Sequence, residues 1–245
     1  MIIKKRLFLI QSRSKTRLNV FVGGRIAVRR AMNKLNVSNE YVKSPILTNE
    51  HGAPIFPGSN IVGSISHKDL LAVAVVKLDS SASSGGGNSS IGVDIERCTN
   101  KSSDRLFTRV LTEREQSQVA NTSHLLFAPT RMLTSDLSST YPLSLSAVTP
   151  SEQVMLHFSF KEAVFKALHP TCLRPISFIE AEIYPRYTHI SSPVNESTPT
   201  CDLGTVDIGF ALKDGKAFEA VGHFERVLLG DATYFLTVVS ARRTS

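Results

Sequence analysis

Apolar residues recur along this chain with two different periods, and segments of the two kinds alternate. Arg6–Gln11, about Val62–Ser66, Leu71–Lys77 and Ile91–Glu96 are short, apolar and bounded by polar or Gly/Pro-rich stretches, which predicts strands. About Gly23–Leu35 reads as a helix, followed by a Pro- and Gly-rich loop through Gly58. Beyond residue 100, helices are predicted over about Ser103–Val110, Glu113–Ala120 and Ser151–Leu168. Strands are predicted over about Ser177–Tyr184, Val206–Lys213, Ala217–Arg226 and Tyr234–Ala241, each with apolar alternation. Thr112-Glu113-Arg114-Glu115 has the form of a capping box, with Thr112 as N-cap and Glu115 at N3, and Ser151 reads as the N-cap of the later helix.

The order helix-then-strands occurs on each side of about residue 100. That predicts an α+β protein of two halves, residues 1–100 and 101–245, although no internal repeat stands out in the sequence. Ser80–Ser90 holds six serines and three glycines and reads as a flexible loop. Asn121–Pro150 is rich in Ser and Thr, nearly uncharged, and contains Pro129, Pro142 and Pro150, so it reads as a loosely packed insertion. Ser191–Thr200 is a further polar loop.

Two stretches in this frame carry candidate chemistry. Side chains alternate across a strand, so in Ile91-Gly92-Val93-Asp94-Ile95-Glu96 the residues Gly92, Asp94 and Glu96 share one face while Val93 and Ile95 point into a core. In the helix ending at Leu168, Phe160, Ala163, Val164, Ala167 and Leu168 form a buried stripe. Glu162 and Lys166, four apart, are stacked on one side of the same helix, next to Lys161. Three carboxylates with nearby ammonium groups suit a hard divalent cation such as Mg²⁺ and the phosphates it clamps. Taken singly, the same residues have plainer readings: a solvated strand face for Asp94 and Glu96, and a surface ion pair for Glu162 and Lys166.

Composition narrows the function classes. The 245 residues are 42% apolar, ordinary for a globular protein, and no stretch approaches the ~20 apolar residues of a membrane span. Met1–Ile10 is too short an apolar stretch for a secretory signal. Cys98, Cys172 and Cys201 have no metal-binding spacing, which fits reduced thiols in a cytoplasmic protein. With 28 Lys and Arg against 21 Asp and Glu the net charge is +7, pointing to a polyanionic partner. The basic residues are scattered and no nucleic-acid motif stands out, so nucleic acid is not the expected partner.

A third stretch, Gly63-Ser64-Ile65-Ser66-His67, completes an ordered set. Followed by Gly92-Val93-Asp94-Ile95-Glu96 and then Phe158-Ser159-Phe160-Lys161-Glu162-Ala163-Val164-Phe165-Lys166-Ala167, it resembles the 4′-phosphopantetheinyl transferases of the surfactin/enterobactin type. The upstream Gly24-Arg25-Ile26-Ala27-Val28-Arg29-Arg30 and Gly52-Ala53-Pro54-Ile55-Phe56-Pro57 are also similar to segments of the enterobactin branch, and the resemblance runs from about residue 17 to about residue 187. Phe158 and Phe56 stand where the family pattern has Trp, and Ala53 stands where the surfactin branch has a basic residue.

The resemblance implies two pseudo-symmetric α/β halves with coenzyme A in the cleft between them. It implies transfer of the phosphopantetheine arm to a serine of an apo acyl or peptidyl carrier protein. On that footing Asp94, Glu96 and Glu162 hold Mg²⁺, and Glu162 and Lys166 are the catalytic pair. Ser66, His67, Lys161 and Lys166 bind coenzyme A phosphates, and Arg25 and Arg29 hold its 3′-phosphate end. A glutamate at the place of Glu115 lies near the metal and carrier side in that family, whereas the local sequence reads it equally as a cap. A self-contained two-half cleft implies a monomer, with no membrane partner. Two other classes use the same residues: a Mg²⁺-dependent phosphohydrolase or nuclease, and a non-catalytic protein that binds carrier domains or nucleic acid.

Overall fold

The computed structural model of the chain describes residues 6–11, 17–79, 89–98, 104–121, 126–132, 144–186 and 204–244. The layering follows from one strand, β5 (Leu71–Leu78), whose first six residues are all buried. A strand apolar at every position needs cover on both faces. Ala74 and Val76 face helix α1 (Arg17–Lys34) in a core with Ala27, Val28, Ala31 and Met32. Leu71, Val73 and Val75 face the other way, into a core with Ile91, Val93, Ile95 and Leu236. The flanking strands β1 (Arg6–Gln11) and β4 (Ile61–Lys68) pair antiparallel with β5 in the order β1-β5-β4.

Between α1 and β4, where the sequence predicts only a loop, the chain forms a short helix α2 (Asn39–Lys43) and a ribbon of β2 (Leu47–Thr48) with β3 (Pro54–Ile55). Both are too short for a period to register in the sequence.

The second sheet has seven strands. Its main path runs β6 (Ser89–Arg97), β12 (Ala232–Thr244), β11 (Ala217–Leu229), β10 (Gly204–Phe210), β9 (Ala181–Arg186), all antiparallel. Two more strands, β7 (Leu126–Met132) and β8 (Ser144–Val148), pair with each other, and β7 runs parallel to the end of β11. They occupy part of the segment expected to be a loose insertion: backbone pairing to a long neighbouring strand supplies the order that the side-chain pattern does not announce. Residues 80–88, 133–143 and 191–200, also expected to be flexible or loop segments, lie outside the described residues.

Helix α5 (Pro150–Cys172) lies across β6 and β12 and buries Phe160, Ala163, Val164, Ala167 and Leu168 against them, the stripe expected from the sequence. Its cap is Thr149, not Ser151. Thr149 Oγ1 accepts from Glu152 N, Glu152 Oε2 accepts from Thr149 N, and Pro150 fills the first helical position, where its missing N–H costs nothing. Two shorter helices, α3 (Asp104–Val110) and α4 (Glu113–Ala120), pack beside α5 through Val110, Leu111, Val119 and Val154. The chain is therefore a mixed α+β protein with a helix on a face of each of two sheets, one of three strands and one of seven. No helix among the described residues is long and apolar enough to cross a membrane. Cys98 and Cys172 are free thiols, and Cys201 lies outside the described residues.

Among the described glycines, the tightest backbone approach is at Gly92. A Cβ built there would lie 1.9 Å from Ala163 O and 2.8 Å from Ala167 N, so the α5 backbone rests directly on β6. No methyl group fits without separating helix and strand. Overpacking costs typically ~1–3 kcal/mol and occasionally more. Because backbone is the obstacle on both sides, Gly92→Ala is expected to lose about 3 kcal/mol or more, read as a lowered midpoint in chemical denaturation.

Candidate active site at the seam of two sheets

Strands β4 and β6 are edge strands of different sheets, and they meet through side chains. Alternation places Ser64, Ser66 and Lys68 on the β4 face that is turned toward β6. Ser64 Oγ accepts the free edge N–H of Val93 at 3.1 Å. Ser66 Oγ donates to Asp94 Oδ1 at 2.8 Å. Lys68 Nζ lies 2.5 Å from Glu96 Oε2. Three successive same-face residues of one strand thus bind successive groups of the other, and side-chain contacts stand where a main-chain ladder would otherwise run.

Helix α5 closes this seam from one side. Lys166 Nζ donates to Asp94 Oδ1 at 2.7 Å, to Ser66 Oγ at 2.8 Å and to Val93 O at 3.2 Å. Ser159 Oγ donates to Asp94 Oδ2 at 3.0 Å, and its hydroxyl lies 2.9 Å from that of Thr237, the β12 residue in register with Asp94. Asp94, only 3% exposed, is therefore held by β4, α5 and, through Ser159, β12. Ser159 and Thr237 were not singled out from the sequence. Ser159 is inside the Phe-Ser-x-Lys-Glu stretch, and Thr237 is the single polar residue within the apolar run Phe235–Val239.

The other two acids belong to the same electrostatic neighbourhood. The Glu162 carboxyl is pushed up from its ordinary value by burial and by the Asp94 charge, with Lys166 opposing. Glu96 is pushed up chiefly by burial and also by Asp94, with Lys68 opposing. Glu96 Oε2 is buried and meets Lys68 as an ion pair without an aligned hydrogen bond. The three carboxylates are neighbours but do not gather round one point: among the described residues, no group of three or more His, Cys, Asp or Glu side chains is arranged to hold a metal ion. Two lysine ammonium groups stand against Asp94 and Glu96 instead. His67 follows Ser66 on β4 and, by alternation, projects from the opposite face; burial and the Lys166 charge lower its pKa, with Asp94 opposing.

Lys161 does not join this set. Its Nζ lies 2.5 Å from Glu115 Oε2 and 2.8 Å from Val110 O, and the two charged side chains are 1% and 0% exposed. The expectation that Lys161 grips a coenzyme A phosphate is corrected: next to Glu162 in sequence, it points inward to the α4 side of the helix. Glu115 in turn accepts from Thr112 N and Ile183 N, so the capping reading of this residue holds and is extended by a buried ion pair. Arg25 and Arg29 lie apart from the seam, on α1. Arg25 donates to Ile46 O and Thr48 Oγ1, Arg29 donates to Val42 O, and burial, with the Arg29 charge beside it, lowers the pKa of Arg25.

Removing one member of a buried pair leaves an unmatched charge, which costs ~3–5 kcal/mol. Lys161→Ala is expected to lose stability on that scale in denaturant titration. Lys166→Ala strips the cation from Asp94, whose side chain is 5% exposed, and is also expected to lose stability, by less than Lys161→Ala because Lys166 itself is 26% exposed and Ser66 and Ser159 stay on the carboxylate.

Two family models match the chain. Residues 5–77 match the 4′-phosphopantetheinyl transferase N-terminal domain, and residues 90–202 match the 4′-phosphopantetheinyl transferase superfamily. Among curated proteins, none matches the chain. The boundary between the two matched segments falls between β5 and β6, so the β4–β6 seam joins one matched segment to the other.

Proposed function

The chain belongs to the 4′-phosphopantetheinyl transferase superfamily, and we propose that it moves the 4′-phosphopantetheine arm of coenzyme A onto a serine hydroxyl of an apo acyl or peptidyl carrier protein, releasing adenosine 3′,5′-bisphosphate. The observation that carries this reading is the junction of Ser66, Asp94 and Lys166, contributed by β4, β6 and α5 and joined at 2.7–2.8 Å. It draws together the three stretches whose order first suggested the family. The two helix-on-sheet units divide between β5 and β6 and not at residue 100, because β6 pairs with β12 in the second sheet; they are read as pseudo-symmetric halves with coenzyme A between them.

The residues present suit a divalent cation. The donors are all carboxylate oxygens, both Glu96 and Glu162 are raised by burial and also by the charge of Asp94, with lysines opposing, and Glu96 Oε2 has no aligned donor. Hard oxygen donors of this kind are what Mg²⁺ prefers. Asp94, Glu96 and Glu162 are assigned as its ligands. When bound, Mg²⁺ would offset charge on the coenzyme A pyrophosphate and on the phosphorus under attack.

The protein groups then divide the work. Glu162 takes the serine proton as the serine oxygen bonds to the phosphorus that carries the pantetheine arm. The pyrophosphate P–O bond breaks, and its electron pair leaves with adenosine 3′,5′-bisphosphate. Lys166, one helical turn beyond Glu162 and part-exposed, neutralises charge on the departing phosphate. Ser66 and His67 bind a coenzyme A phosphate at the end of β4. Arg25 and Arg29, two guanidinium groups whose charges oppose each other, hold the 3′-phosphate end.

Intact-protein mass spectrometry of a panel of apo carrier proteins tests the proposal. With coenzyme A and Mg²⁺, at least one carrier is expected to gain a single phosphopantetheine arm, and omission of either reagent abolishes the gain. Asp94→Asn and Glu162→Gln are each expected to slow transfer by roughly 10²-fold or more. A protein that degrades nucleic acid without coenzyme A, or that binds carriers unchanged after Asp94→Asn while modifying none, contradicts the assignment.

A further inference from the structure

Lys68 is a charged residue of the seam that neither the family motif nor the proposed chemistry uses. It ends β4, at the hairpin turn into β5, where Asp69 takes the left-handed conformation (φ 53). That turn is anchored over the end of β6. Tyr234 Oη donates to Asp69 Oδ2 at 3.1 Å, Arg97 Nη1 lies 4.0 Å from the same oxygen, and Lys68 Nζ lies 2.5 Å from Glu96 Oε2. The acid is largely buried, its side chain 12% exposed, while the lysine is 37% exposed. A largely buried carboxylate whose Oε2 has no aligned hydrogen bond is therefore matched by a cation tethered to a fixed turn and reached from solvent.

Resting on the metal assignment above, we propose that Lys68 is a tethered competitor of the divalent cation: its ammonium balances Glu96 while the metal is absent, and the metal must displace it to be bound. The turn contacts of Asp69 keep the ammonium close, so it returns whenever the cation leaves. Lys68 is in this sense a positioning residue that sets cation affinity and keeps the empty site from carrying unmatched charge.

The test is Mn²⁺ binding to the intact chain, followed by electron paramagnetic resonance of the free ion, with and without coenzyme A and without any carrier. Lys68→Met keeps the aliphatic stem and removes the charge. It is expected to bind Mn²⁺ about two- to fivefold more tightly than wild type, the range expected for loss of a part-exposed competing ion pair. Lys68→Arg keeps the charge and is expected to stay within about twofold of wild type. Glu96→Gln removes the carboxylate charge, and in its background the Met substitution is expected to change nothing. Equal or weaker binding by Lys68→Met, with wild-type melting temperature, overturns the proposal while leaving the metal assignment standing. Should Lys68→Met fail to fold, Lys68→Gln takes its place with the same two outcomes. No Mn²⁺ binding by wild type in either condition overturns the metal assignment itself and this proposal with it.

Discussion

A carboxylate with almost no access to water has to be matched by its surroundings, and the matching of Asp94 organises this protein. One oxygen takes Ser66 and Lys166, the other takes Ser159, and Ser159 leans on Thr237. These partners come from β4, α5 and β12, so satisfying one buried charge fixes the relative placement of two sheets and of the helix that closes their seam. A buried ion pair is expensive to assemble and costly to break halfway. The remaining hydrogen bonds around Asp94 are what make such a pair tolerable here. The seam is therefore best understood as a site whose polar network also specifies how the sheets meet.

Glycine contributes to the same constraint from the backbone side. Because Gly92 has no side chain, α5 approaches β6 until carbonyl and strand are in contact, and Lys166 then reaches Asp94 and Val93 O from its helix. The room it provides is occupied by the helix backbone. The two lysines at the seam, Lys166 and Lys68, give the acids of β6 cationic partners within the chain itself. The charges suited to a metal are thus balanced internally, and exchange of those partners for a divalent ion is the step on which the proposed chemistry depends.

Much of this was legible in the sequence, for identifiable reasons. The α5 stripe, the β5 run and the Thr112–Glu115 box each follow from local periodicity or capping chemistry, and each is found in the structure. The ordered motifs also brought Ser66, Asp94 and Lys166 into one hypothesis, and those three are in direct contact. What escaped was non-local. Lys161 has the same composition and spacing as a phosphate-binding lysine; only the position of Glu115, which is 46 residues away, turns it into a buried pair. The strands β7 and β8 depend on β11, almost a hundred residues later, and the Lys68–Glu96 contact depends on how two edge strands cross. No local pattern encodes such partners.

The central claim is that one cation is held jointly by acids from the seam strand and from the helix that closes it. Anomalous diffraction from crystals grown with Mn²⁺ and coenzyme A measures this directly. The account predicts a peak with oxygens of Asp94, Glu96 and Glu162 at roughly 2.0–2.2 Å, close to the distances of small hard cations. A peak that touches none of these three residues, or no peak beside a bound coenzyme A pyrophosphate, would contradict it.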